Sequence, residues 1–279
     1  MPRTIAIPIA GEMGAGLGSV LSAHGARVFT MPEGRSAATR ARAEEAGMVA
    51  AGLEEIAAAG VILSVVPPAV AVETAERVVA AIPEGHKPVF VDLNAVSPAR
   101  TRQIAEIVEA AGVRFVEGGI IGGPPRPGRE GPRLYLSGPA AADALFLGEL
   151  GLDVRAIEGG VGAASALKMC YGAMTKGLTG ITAAMLGAAE RAGIGADLHA
   201  ELSYSQPAQL QRAGHALPDM YRKAYRWVDE MRQIAEFLGD RPEAHIWRGL
   251  ADLYQRLADD HAGEGSEIAA LDRFLARRD

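Results

Sequence analysis

Thr4–Gly25, TIAIPIAGEMGAGLGSVLSAHG, is the stretch on which the fold turns. TIAIPIA is an apolar run of strand length, Gly11 to Gly14 form a glycine turn, and GLGSVLSAHG has the spacing of a helix closed by Gly25. The same alternation continues outward. ARVFTM is strand-like, and SAATRARAEEAG is a helix with Ser36 as its cap and Gly47 as its stop. VILSVVPP is a continuous apolar strand ended by prolines, and AVAVETAERVVAAI is helical. PVFVDLNAVSP runs from strand to loop, and ARTRQIAEIVEAAG is a helix. VRFVEGGIIGG and RLYLSG are further strands on either side of a Pro- and Gly-rich loop, Gly122 to Pro132, and PAAADALFLGEL follows them.

Strands that alternate with helices imply a mainly parallel sheet covered on both faces, and the uninterrupted apolar runs VILSVV and PVFV suit strands buried on both sides. Beyond about Gly159 the strand signals stop and helical patterns continue to the end. The expected fold is therefore a doubly wound α/β domain over residues 1–157 followed by an all-α domain over residues 158–279, with no internal repeat.

Composition narrows the function. The chain has 279 residues, 49% of them hydrophobic, and a net charge of −6. That balance opposes nucleic acid as a partner, because neutralising phosphates needs a basic surface. RARAEEAG and LARRD read as solvated helix faces. Cys170 is the only cysteine, which excludes an intrachain disulfide and suits a reducing, cytoplasmic setting; it reads as a small buried apolar residue. The N-terminal apolar run is short and broken by Pro8, so it reads as a strand rather than a leader. Met169–Ala189 is long enough to consider as a membrane span, but it contains Lys176 and is built of Ala, Gly and Thr, so no span is expected. The histidines lack metal-ligand spacing, and no metal is expected.

The first strand–turn–helix of a doubly wound (Rossmann) sheet ordinarily holds a dinucleotide pyrophosphate. Glycines let the backbone approach the phosphates, and the helix N-terminus offers amide donors. Here Gly11, Glu12, Met13 and Gly14 form that turn. Gly11 and Gly14 have the spacing of the second and third fingerprint glycines, and Ile9 stands where the first would be. The second strand ends at Thr30 without an acidic residue, and Arg35 and Ser36 follow. An arginine suits a 2′-phosphate, which favours NADP with NAD as the alternative; Glu33, which could serve ribose hydroxyls, points the other way.

GEMG after the first strand, VVPP on a middle strand, DLNAVSP on the next and a lysine helix opening the second half together resemble the β-hydroxyacid dehydrogenases of the 6-phosphogluconate dehydrogenase type. ASALKMCYGAMTKGLTGI is most similar to the branch whose helical domain is the DUF1932 group. The resemblance implies an NAD(P)-dependent oxidoreductase acting on CH–OH groups of a small-molecule substrate. It also implies a helical domain that forms a homodimer, and cofactor contacts from Val66, Pro67 and Asn94. Lys168 aligns with the family's catalytic lysine. Ile121 stands where a substrate-loop serine precedes Gly122 and Gly123, and Gly172 stands where an asparagine follows the lysine. Both changes remove polar groups, so a bulkier or more apolar substrate is expected, near Ile121, Gly122, Gly123, Tyr171 and Gly172. An imine reductase is an alternative of the same architecture, and a nucleotide-binding sensor or scaffold without catalysis is another.

Lys168 lies among small residues. Ala164, Ser165, Tyr171 and Gly172 share its helix face, and no acidic residue sits at helical spacing to pair with it. A partly desolvated lysine has a lowered pKa and is suited to exchange a proton with a substrate hydroxyl. The alternative is a lysine that reaches solvent.

Overall fold

The computed structural model describes residues 4–126 and 128–277. Met1–Arg3 of the N-terminal stretch, Pro127 of the Pro-rich loop and Arg278–Asp279 of LARRD lie outside the described residues. The chain forms two compact units, residues 1–168 and residues 169–279. The division at 157/158 expected from sequence comes earlier, where the strands end and before the long helix begins.

The first unit contains β1 (Thr4–Ala6), α1 (Glu12–Ala23), β2 (Arg27–Thr30), α2 (Ala37–Glu45), β3 (Val49–Ala50), α3 (Leu53–Ala57) and β4 (Val61–Ser64). It continues with α4 (Ala71–Ala80), β5 (Val89–Asp92), α5 (Pro98–Ala110), β6 (Arg114–Ile121), β7 (Arg133–Ser137) and β8 (Asp153–Ala156). Short 3₁₀ turns cover Pro68–Val70 and Ala141–Gly148. The strands form one sheet in the order β3-β2-β1-β4-β5-β6-β7-β8. All pairings are parallel except β6 with β7, which the Gly122–Pro132 loop joins in antiparallel register.

Side chains alternate between the two faces of this sheet, and each face has its own core. Ile5, Ile7, Leu63 and Val91 join Leu17 and Leu21 of α1 on one face. Ala6, Ile62, Phe90 and Phe115 join Ile56 of α3 and Ile104 and Val108 of α5 on the other. Phe90 and Phe115 stack across β5 and β6 with centroids 6.4 Å apart. This doubly wound arrangement is the one expected from the alternation.

The caps read from sequence are present. Ser36 Oγ accepts from the Thr39 amide at 3.2 Å at the start of α2. Ser97, not singled out from sequence, adds a further cap: its Oγ accepts from the Arg100 amide ahead of α5. Gly25 and Gly47 take φ +83° and +68° where α1 and α2 end, a conformation that glycine adopts freely. At the sheet's outer edge Asp153 of β8 pairs with Arg155 at 2.9 Å and with Arg133 of β7 at 3.5 Å.

α6 (Ala163–Arg191) starts in the first unit and continues into the second, which holds α7 (Gly195–Ser205), α8 (Pro207–Tyr221), α9 (Ala224–Leu238), α10 (Ala244–Ala262) and α11 (Ser266–Leu275). Its core includes Leu217, Met220, Met231, Tyr254 and Phe274. Tyr221 and Met231 are buried here, whereas Tyr225 is exposed. Lys176 pairs with Glu230 and lies over the Trp227 ring at 5.6 Å. Cys170, read as buried, is exposed on α6. No described helix is long and apolar enough to cross a membrane.

Candidate active site

In this strand order the direction of winding reverses between β1 and β4, where doubly wound sheets bind ligands beyond the strands' carboxyl ends. The candidate cofactor residues gather at that edge. Gly11–Gly14 follow β1, Thr30 ends β2 with Arg35 and Ser36 just beyond, Val66 and Pro67 follow β4, and Asn94 follows β5.

The first turn has the geometry a pyrophosphate needs. A Cβ built on Gly11 meets nothing within 4 Å, so the backbone is open to close approach. No side chain caps α1, so the amides of its first turn face that open space without a capping partner. A Cβ on Gly14 would stand 2.5 Å from the Ile9 carbonyl oxygen. Gly14 thus performs the close helix–strand packing of the third fingerprint glycine. Ile9 replaces the first without strain, because no described non-glycine residue has positive φ.

At the end of β2 a cavity of about 290 Å³ is lined by Thr30, Met31, Pro32, Arg35, Thr39 and Arg40, among others. Arg35 Nε is buried without a hydrogen-bond partner. Arg40 Nη1 donates to the Arg35 carbonyl at 2.6 Å. Sequence reading missed Arg40, whose place on the cavity wall follows from the turn that precedes α2. The Ser36 hydroxyl is occupied in capping α2.

Asn94 is buried and works as a brace between strand ends. Its Oδ1 accepts from the Val66 amide at 2.7 Å, and its Nδ2 donates to Ser64 Oγ at 2.9 Å and to Asp92 Oδ1.

A buried polar cluster anchors the start of α6. Glu117, 1% exposed on β6, accepts from Ser137 Oγ at 2.7 Å, the Ser165 amide at 2.8 Å and the Gly162 amide. Ser137 Oγ accepts from the Ala164 amide at 3.1 Å, and Thr101 of α5 bonds Ser165 Oγ at 3.0 Å. A carboxylate at this position satisfies orphan amides of the first helical turn and complements the helix dipole. Gly119, two residues along β6, lets the helix approach: its Cβ would lie 2.7 Å from the Ala164 carbonyl oxygen and 3.6 Å from Lys168 Cβ.

Lys168 is consequently fixed one turn into α6. Burial lowers its pKa from the ordinary lysine value to about 8, against a smaller pull upward from the charge of Asp92. Asp92, at the end of β5, is raised to about 7, chiefly by burial and further by the Glu117 charge, while Asn94 and Lys168 act in the opposite direction. Neither acid was singled out from sequence. The available signal was one carboxylate in each of two otherwise apolar runs, VFVD and FVEGG.

Of the candidate substrate residues, Ile121 ends β6 and Gly122 follows with φ +122°, its Cβ position 2.9 Å from Pro132 Cα, so only glycine fits there comfortably. Gly123 opens the loop, and Pro125 of that loop lies against Gly16 of α1. Tyr171 and Gly172 belong to the second unit, Tyr171 half-exposed and Gly172 with open space at its Cβ. No cluster of metal-ligating side chains occurs among the described residues.

A sheet of this order with an open glycine turn at its switch point defines a Rossmann-type dinucleotide-binding domain. The chain belongs to the family of the NAD binding domain of 6-phosphogluconate dehydrogenase, which matches residues 5–144, about half of its length. A second family, a domain of unknown function (DUF1932), matches residues 189–257. Among solved structures, the chain is similar to the conserved protein MTH1747, of unknown function and with structural similarity to 3-hydroxyacid dehydrogenases. The two are 27% identical over 93% of this chain and 98% of that one, with a TM-score of 0.77. The fold is also that of a Mycobacterium tuberculosis 3-hydroxyisobutyrate dehydrogenase (20% identity, 94% and 96% covered, TM-score 0.71). It is shared by a variant imine reductase from Myxococcus stipitatus in complex with NAD+ (21% identity, 99% and 100% covered, TM-score 0.62). No curated protein matches the chain.

Proposed function

We propose that this protein is an NADP-dependent oxidoreductase that interconverts an alcohol and a carbonyl, with Lys168 as the proton donor and acceptor. The observation that carries this reading is Lys168 itself: a lysine held beside Gly119 of β6 whose desolvation brings its pKa to about 8, within reach of the working pH.

When bound, the nicotinamide supplies hydride transfer to or from the substrate carbon. The protein's share is to hold and to move a proton. The open turn at Gly11–Gly14 and the amides of α1 suit the pyrophosphate. Arg35, with its unpartnered Nε on the cavity at the β2 end, suits a 2′-phosphate and supports NADP over NAD. In the oxidative direction neutral Lys168 takes the hydroxyl proton; in the reductive direction the ammonium returns it to the forming alkoxide. Ile121, in place of the family's substrate-loop serine, favours a substrate less polar than a small hydroxy acid.

The reading includes a homodimer. α6 exposes Tyr171, Met174, Leu178, Ile181 and Met185 at spacings of three and four residues, an apolar stripe of the kind that partner helices cover.

The test is NADPH oxidation across a panel of aldehydes, ketones, keto acids and cyclic imines. Lys168→Ala should keep the fold and NADPH binding and lose turnover by about 10²-fold or more. Near-normal turnover in the variant defeats the assignment. Preference for the imines moves the reading to an imine reductase, and NADPH binding without NADPH oxidation by any substrate moves it to a sensor.

A further inference from the structure

We propose that Asp92 and Glu117, neighbours across β5 and β6, form a buried carboxylate pair that divides the control of Lys168, with Glu117 positioning its helix and Asp92 serving as its counter-charge. The inference rests on Lys168 as the proton-transfer group.

The pairing is geometric. Asp92 and Glu117 are register partners, so their side chains leave the same face of the sheet. Glu117 is directed at the start of α6, because it accepts from Gly162 and Ser165. Gly119 lies on that same face, and a Cβ built there would stand 3.6 Å from Lys168 Cβ. Both oxygens of Glu117 are engaged, one by the Ser165 amide and the other by the Gly162 amide and the Ser137 hydroxyl. Asp92 Oδ1 accepts from Nδ2 of Asn94, and Asp92 leaves the sheet on the face of Gly119, beside which Lys168 is held, with no direct ion pair between Asp92 and Lys168 among the described residues. Other charged groups near this helix start are Arg102 of α5, whose Nη1 lies 2.9 Å from the Cβ position of Gly162, and Glu158, which precedes the helix in the chain.

The two carboxylates therefore act on Lys168 in different ways. Replacing Asp92 by its isostere removes a charge and leaves the packing. Replacing Glu117 by its isostere puts an amide N–H against a backbone N–H, loosens the first turn and lets water reach the lysine. The proton midpoint of Lys168 should move in opposite directions in the two variants. It falls when the counter-charge goes, and it rises toward that of an ordinary lysine when burial is lost.

Competitive labelling with acetic anhydride, followed residue by residue by mass spectrometry as a function of pH, measures that midpoint without any substrate. The wild-type midpoint should lie near 8. Asp92→Asn should lower it by about one pH unit, Glu117→Gln should raise it by about the same amount, and Lys87, Lys176 and Lys223 should keep their wild-type profiles in both. An unchanged or raised midpoint in Asp92→Asn overturns the counter-charge. An unchanged midpoint in folded Glu117→Gln, or a shift shared by every lysine, overturns the positioning role. If Glu117→Gln does not fold, Glu117→Asp tests the same point, because its shorter carboxylate cannot reach both amides. Near-normal turnover in Lys168→Ala would remove the function reading while leaving these midpoints as measured, so the two failures are separable.

Discussion

Asp92→Asn should make the protein more stable, and by an amount that depends on pH in a defined direction. In the folded protein the Asp92 pKa is raised from 3.8 to about 7. Between those values the folded state holds a proton that the unfolded chain has released, so stability falls as pH rises through this window and levels off above it. Each pKa unit is worth ~1.4 kcal/mol, so the ionised side chain costs on the order of 4 kcal/mol above pH 7 and almost nothing near pH 4. Asparagine has the shape of the neutral acid and can still accept from Asn94. The gain from Asp92→Asn should thus be near zero at pH 4, rise by ~1.4 kcal/mol per pH unit and reach a plateau beyond neutrality. Urea unfolding of both proteins at half-unit steps from pH 4 to 8.5 reads this directly. A stability difference that stays flat across the range, or a loss of stability at pH 8, would refute the assignment of a strained buried charge to Asp92.

Three further outcomes are expected. Gly14→Ala forces a Cβ to within 2.5 Å of the Ile9 carbonyl oxygen, so α1 must shift; the free energy of unfolding should fall by about 1–3 kcal/mol and NADPH affinity should fall about tenfold or more by fluorescence titration. Arg35→Ala should weaken NADPH by about 10–100-fold in calorimetry and leave NADH unchanged; an equal loss for both cofactors would show that Arg35 does not read the 2′-phosphate. Ile181→Asp places a charge in the exposed stripe of α6, and sedimentation should change from dimer to monomer; a variant that sediments as the wild type does would put the interface elsewhere.

The sheet was legible where its strands are buried on both sides. VILS and VFVD are apolar throughout apart from their last residues, and their apolar runs announce them. β3 has two residues, both exposed, and β8 is mostly exposed, so neither carries a periodic signal. α3 has five residues, too few to show a helical face. The glycine turn was readable because its spacing is local. The surroundings of Lys168 were not, because they depend on register: Asp92, Glu117 and Lys168 lie far apart in sequence and come to one face of the sheet only once β5, β6 and α6 are in place. Cys170 was misread for a related reason. A small residue on an alanine-rich helix looks buried until the packed face of the helix is known.

The two borders of the sheet also determine how this chain behaves beside copies of itself. A strand at a border carries unpaired backbone groups and invites another chain to add a strand. One border here ends in the two-residue β3, too short to template a ladder. The other ends in β8, where the opposite charges of Asp153 and Arg155 lie on one face of the border strand and Asp153 is also tied to Arg133. An incoming strand would have to break those pairs and strip their water before it gained a hydrogen bond. The wide eight-stranded sheet is thereby guarded against sideways polymerisation by a few polar residues at its rim. Hydrophobic replacements at Asp153 and Arg155 would open that rim to aggregation while leaving the interior of the fold untouched.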